Sequence, residues 1–282
     1  MGPNMGKRNL GVAFVLLLCV GVAAAANDQQ NPQQLVQQTI YNELHANQHQ
    51  NYWTYIDSNT QHGSTKVSRV VETPQCWFEW VLSINGQPPT PAQQKQQQSK
   101  INALINDESA RQKNRAAIDQ DGQKAENLMK MLPDAFLYSY DGEQEGNVRL
   151  KFRPNPQFHP PTNAAKVFHN MEGTMLINAR EKRLAGLSGT LMQNVDFGWG
   201  ILGKLYKGGT FKVMQKQLAP QDWEVTLLDV HIGGRALFFH TISEQQHEVK
   251  TDFEPVPANL ALAKAAALAE HGGNENASAA AK

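Results

Sequence analysis

The sequence predicts a mainly β chain with helices, an α+β fold: a curved antiparallel sheet or half-barrel of about ten strands whose concave side is covered by helices. Three observations carry this expectation. Period-two alternation recurs from Tyr52 to Phe253, most clearly in Cys76, Phe78, Trp80, Leu82 and Ile84. Dipeptides such as Asn85-Gly86, Asp141-Gly142 and Gly233-Gly234 punctuate the runs as hairpin turns do. One stretch, 87–132, abandons alternation for helical spacing. An open sheet of that size curls, and helices can then cover its second face.

The chain opens on an export pattern. Lys7 and Arg8 precede an apolar run over 10–22, and Ala24-Ala25-Ala26 supplies small residues before Asn27. At about 13 residues the run is too short to span a bilayer comfortably. The expectation is a cleaved signal peptide over 1–26, one domain over 27–257 and a soluble periplasmic protein. Leu18 precedes Cys19, where lipid attachment wants a small residue, so Cys19 should leave with the signal. Cys76 then stands alone, without a disulfide partner, and the fold must rest on its core. Beside Trp77 and Phe78 it reads as a small buried apolar residue.

Loss of Lys7 and Arg8 leaves slightly more Asp and Glu than Lys and Arg. No basic face is predicted, hence no nucleic-acid partner. The abundant glutamine supplies neutral polar surface.

The elements follow in order. Asn31 and Pro32 open a helix, Pro suiting its first turn. Leu35, Val36, Ile40 and Leu44 give it one apolar stripe running to about His49. Strands are expected at 52–56, 67–72 and 76–84, then a turn at Asn85-Gly86. Within 87–132, Thr90-Pro91-Ala92-Gln93 forms a capping box before a helix anchored by Ile101, Leu104 and Ile105. A second helical piece, 124–132, should bury Leu128, Met129 and Leu132 before Pro133 ends it. This mostly polar insertion reads as a movable cover.

Phe136, Tyr138 and Tyr140 resume the alternation, Asp141-Gly142 turns, and Val148, Leu150 and Phe152 return. The prolines of 153–161 lack the ladder N–H, so that stretch is a loop. Further strands are expected at 167–178, 184–195, 211–218, 223–232 and 235–242, with 244–253 as a last edge strand. After Pro257 the chain is Ala-rich, with a short helix over 258–270 and an otherwise disordered tail to 282.

Catalytic signals are weak. Gly198 to Leu205 nearly spells a phosphate loop, but Leu205 stands where a Ser or Thr would hold magnesium, and a strand follows instead of a helix. Nucleotide binding is therefore not expected. Its apolar members, Trp199, Ile201, Leu202, Leu205 and Tyr206, instead suit a cap on the sheet. Asp196-Phe197-Gly198 lacks every companion of the kinase tripeptide. His159, His169, His231, His240 and His247 make no close ligand pair, and no G-x-S-x-G is present. No enzyme, metal or cofactor is expected.

The aromatic residues suggest binding. Trp53, Tyr55, Phe78, Trp80, Phe136, Tyr138, Phe152, Phe168, Phe211, Trp223 and Phe238 stand in alternating runs. Either they fill an ordinary core, or most of them line a hydrophobic cavity beneath the helical cover. The cavity candidates are all of these but Phe168.

Four segments carry a family resemblance: FRPNPQFHPP at 152–161, VFHNMEGTMLIN at 167–178, FGWGILGKLYKGGTF at 197–211 and KTDFEPVP at 250–257. They resemble secreted acidobacterial proteins of the outer-membrane lipoprotein-sorting, LolA-like class, over 31–257 and most densely after 152. The resemblance implies a half-barrel of about eleven strands closed by helices. It also implies a periplasmic carrier of a lipid, a lipidated protein or another hydrophobic ligand, served by an inner- or outer-membrane envelope protein. In such carriers an arginine inside the cavity holds the lid, and Arg69 is the candidate counterpart here. The long Gln-rich excursion departs from the compact carriers. An envelope scaffold or regulatory protein-binding module on the same fold is the alternative, and an extra-cytoplasmic hydrolase the third reading. A monomer is expected in each case.

Export makes a direct prediction. Intact mass of the envelope-fraction protein should match a chain beginning at Asn27; a diacylglyceryl adduct on a chain beginning at Cys19 would refute it.

Overall fold

The computed structural model describes residues 31–46, 51–162, 164–197, 203–236 and 240–272, which belong to one compact unit. The export segment, Trp199, Ile201, Leu202 and Phe238 lie outside the described residues. No described helix is long and apolar enough to cross a membrane.

The elements are α1 (Pro32–His45), β1 (Tyr52–Gln61), β2 (Ser64–Glu72), β3 (Trp77–Ile84), α2 (Pro91–Asn106), α3 (Glu108–Met129) and α4 (Leu132–Ala135), followed by β4 (Phe136–Gln144) and β5 (Asn147–Pro154). A short 3-10 helix (Ala164–Asn170) then leads into β6 (Met171–Asn178), β7 (Leu184–Leu191), β8 (Val195–Phe197), β9 (Gly203–Leu205), β10 (Thr210–Ala219), β11 (Asp222–Ala236), β12 (His240–Val256) and α5 (Leu262–His271). The strands form one open, mainly antiparallel sheet in the order β3-β2-β1-β12-β11-β10-β7-β6-β5-β4, with the short β8–β9 pair beside the end of β11. The α+β class and the single sheet agree with the sequence.

Several local expectations change. Residues 244–253 do not form an edge strand: β12 lies inside the sheet, paired with β1 from Tyr52↔Val256 to Gln61↔Gln246 and with β11 on its other side. Its polar residues mimic an edge because the strands flanking it are polar too. Gly233-Gly234 is no turn, since β11 runs through it. The glycines let β9 approach: a Cβ on Gly234 would lie 2.4 Å from the Lys204 carbonyl oxygen. Asp141-Gly142 is a bulge within β4, and the turn falls at Glu145 and Gly146, with φ of 50° and 76°. Asn85 and Gly86, with φ of 52° and 75°, turn as expected. The run 167–178 begins as the 3-10 helix and becomes a strand only at Met171.

The helices do not share one side. A single register row crosses the sheet from Tyr138 through Phe152, Gly173, Gly189, Phe211, Val230 and Gln246 to Gln61. Alternation along β1 then puts Asn59, Asp57, Tyr55 and Trp53 on that same first face. At the β4–β7 end, α1 and α4 cover this face with Leu35, Val36, Ile40, Leu132 and Ala135, packed on Phe136, Leu150, Phe152 and Met175. At the other end, α2 and α5 pack Ile101, Ala265, Ala266 and Ala269 on Val71, Phe78 and Val256, which point to the opposite face. The expected cover on one concave side is thus replaced by cladding of opposite faces at opposite ends.

The Gln-rich segment has a topological task. β3 and β4 are the two outer strands, so 85–135 must carry the chain from one edge to the other. At 1.5 Å per residue α3 spans about 33 Å of that distance. It begins at Glu108 rather than Lys124, and buries no residue. Leu128, expected to be buried, is 42% exposed. Polar contacts hold the segment instead. Arg111 donates to the Leu104 and Ile105 carbonyls at the end of α2. Asn114 and Gln97 accept from the Trp77 and Val81 amides of β3, closing that sheet edge.

The Ala-rich segment is also part of the packing as far as Gly272. Ala265 and Ala269 are fully buried, and Arg69 donates to the Ala269 carbonyl at the end of α5, 3.1 Å away. Alanine stripes look weak in sequence because each side chain is small, yet they admit close helix-to-sheet approach.

Gly234→Ala should lower stability by about 2 kcal/mol, the scale of a forced overpacking, read as a reduced urea midpoint. An unchanged midpoint would mean that β9 does not press on β11.

Candidate functional site

Eight of the nine described cavity candidates fall into three separate cores. Phe136, Tyr138, Phe152 and Phe211 belong to the cluster under α1 and α4, where Phe136 lies 4.6 Å from Phe152 and 5.4 Å from Phe168, ring centre to ring centre. Phe78 and Trp80 belong to the cluster under α2 and α5, on the opposite face. Trp53 and Tyr55 join Val70, Phe253, Leu218 and Ala219 in a third. Trp223 is 7% exposed, and its indole donates to Glu181 at 2.9 Å. Arg69, the candidate lid anchor, anchors α5 rather than the Gln-rich helices.

The third core adjoins an unusual set of charges. The β10–β11 hairpin brings Asp222 to β1, where its Oδ2 accepts from the Trp53 indole at 3.1 Å and from the Asn51 amide at 2.8 Å. Its Oδ1 is buried without a partner among the described residues. Glu72, 7% exposed, accepts from the Trp53 amide. Burial, reinforced by the charge of Glu224, pushes the Glu72 carboxyl from 4.5 up to about 8. Burial and the charge of Asp222 push Glu224 up to about 7. Burial and Glu248 push Asp57 up to about 6. Lys250 is the cation that opposes all three shifts. Carboxyls in such surroundings hold protons near neutrality.

A second buried charge site fixes the other end. Arg183 and Glu43, both 3% exposed, pair through Nε–Oε1 at 2.8 Å and Nη2–Oε2 at 3.1 Å. Arg183 also donates to the Gln221 carbonyl, so α1, β7 and the β10–β11 turn meet at one guanidinium. On the second face, His231 and His247 both hydrogen-bond Asp229 Oδ1, at 3.2 and 2.9 Å. The His247 bond, more than any other influence, holds the Asp229 carboxyl below its usual range. Among the described residues no group of three or more His, Cys, Asp or Glu is placed to hold a metal ion.

Three surface cavities lie around this framework. One of about 620 Å³ is an amphipathic groove on the open face of β4–β7, with Leu137 and Met192 beside Lys151, Arg153 and Glu172. A second, of about 540 Å³, opens among the end of α1, the β6–β7 turn and the β10–β11 turn, and reaches Asp222. A third, of about 280 Å³, lies between β1 and the end of α5.

Sequence reasoning missed Glu72, Asp222, Glu224 and the Glu43–Arg183 pair. Their only signal is a charged residue set among apolar strand neighbours, as Glu72 follows Val70 and Val71. Compared with protein-family models, with curated proteins and with solved structures, the chain gives no significant match.

The carboxyls make a signed pH prediction. Their folded pKa values lie above the ordinary 4.5 of Glu, so this contribution to stability is fully present below about pH 4.5 and is lost as pH rises through 7 and 8. Urea midpoints should therefore fall between about pH 5 and about pH 9. Glu72→Gln should flatten the decline and exceed wild type at the alkaline end. A parallel decline in both proteins would count against the cluster.

Proposed function

We propose that the chain is a non-catalytic binding module of the cell envelope, using a LolA-like sheet to present surface to a partner protein rather than to enclose a lipid. The observation that carries this reading is the separation of the aromatic candidates. Eight of the nine that are described sit in three separate clusters, on both faces of the sheet, instead of lining one shared cavity. Side chains packed within such cores fill space that a carrier would leave open for an acyl chain.

The open face of β4–β7 is the working surface. Leu137 and Met192 stand 37% and 38% exposed there, flanking a groove that runs beside β4. β4 is also an outer strand of the sheet. Side chains of α2 and α3 close the β3 edge, whereas β4 ends the sheet on the opposite side. The partner that fits is an extended segment of an envelope protein, added as a strand to β4 with side chains in the groove. The carrier reading keeps one supporting observation, since the same groove would seat a single acyl chain on its surface.

One experiment separates the two. A photocrosslinking residue at Ser139 on β4 should give discrete protein adducts in the envelope fraction, and one at Ser83 on β3 should not. Native mass spectrometry of the gently purified protein should show no acyl lipid. Co-purified lipid with uptake that strengthens with chain length, and no adduct at Ser139, would reverse the choice in favour of the carrier.

A further inference from the structure

The 540 Å³ cavity at the end of α1 has its own chemistry, independent of the β4 face. Its volume falls within the range of about 300–1,000 Å³ that small-ligand clefts occupy. Tyr41 forms its rim, 61% exposed, with one ring face stacked on His45 at 4.0 Å. His45 Nδ1 lies 2.8 Å from the Tyr41 carbonyl. A carbonyl only accepts, so Nδ1 carries the proton, and Nε2 of the neutral ring is left as an acceptor.

Within the cavity, Asp222 is 4% exposed and its Oδ1 has no donor among the described residues. That oxygen is closed off from solvent, so Asp222 forms part of the cavity wall rather than a group a ligand reaches. Arg180 and Gln221 line the same space and bring donors. Arg180 is 80% exposed in its side chain and lies 3.7 Å from Glu181, its one ion pair among the described residues.

Charge narrows the ligand class. The other guanidinium of the cavity, Arg183, is held by both Glu43 oxygens, so no cluster of unpaired cations awaits a phosphate. Both Glu181 oxygens already accept, from Gln217 and Trp223. The remaining groups are planar donors and acceptors beside one exposed aromatic face. A pyranose ring offers what matches them: vicinal hydroxyls that both donate and accept, and a C–H face that lies on an aromatic ring. We propose that this cavity binds a neutral saccharide, one or two pyranose units, stacked on Tyr41 and hydrogen-bonded to His45 and Arg180.

The test uses the mature chain and three probes, N-acetylglucosamine, cellobiose and maltose, titrated by calorimetry and by ligand-observed NMR. At least one should bind saturably, with a dissociation constant of about 1 mM or tighter. Tyr41→Ala should weaken it about tenfold, the upper end of an aromatic contact, with an unchanged urea midpoint. Tyr206→Ala removes another exposed tyrosine, one that does not line this cavity, and should change nothing. His45→Ala should weaken binding in the same direction as Tyr41→Ala. Absence of binding by all three sugars at about 10 mM overturns the site. So does binding that Tyr41→Ala and His45→Ala leave untouched.

Discussion

The pairing of β1 with β12 is the constraint on which the rest of the structure depends. Without it the strands would fall into two sheets, β1–β3 and β4–β12, each with an additional open edge. The register from Tyr52↔Val256 to Gln61↔Gln246 joins residues nearly the whole described chain apart. Such non-local pairing forms late and costs chain entropy before it returns contacts. It also sets Asp57 against Lys250 and Asn59 against Glu248, which brings a polar band into the middle of the sheet.

That band explains why the apolar residues do not merge into one core. The clusters under α1 and α4, under α2 and α5, and around Trp53 are separated by charged and amide side chains on β1, β2 and β12. Where the β10–β11 hairpin covers part of the band, Asp222, Glu72 and Glu224 become shielded from water together, with Lys250 as the nearby cation. Burial of like charges without matching cations is unfavourable, and proton uptake is how such a cluster relieves it. The Glu43–Arg183 pair illustrates the contrasting case, in which both charges are satisfied and the pair specifies how α1 docks on β7.

The β3 edge of the sheet is closed by side chains. Asn114 and Gln97 occupy backbone amides of β3, and the helices supplying them are the same ones that must cross from β3 to β4. The Gln-rich character of that crossover is then intelligible. Amide side chains both donate and accept, which suits a segment held by hydrogen bonds to a strand edge rather than by an apolar stripe.

Period-two runs, the Thr90 capping box and the Asn85-Gly86 turn determined the element types, because each is a local backbone preference written in adjacent residues. Pro32, with Asn31 before it, likewise marked the start of α1. Strand order was decided only by tertiary structure: nothing local in 244–253 distinguishes an outer strand from one pairing on both sides. The same holds for Gly233-Gly234, whose meaning depends on β9 lying against it. The aromatic residues were readable as sheet-facing, but the face each points to depends on register across many strands. The charged cluster was hidden for the same reason. Glu72, Asp222 and Glu224 are unremarkable where they stand in the chain, and only folding removes water from all three at once.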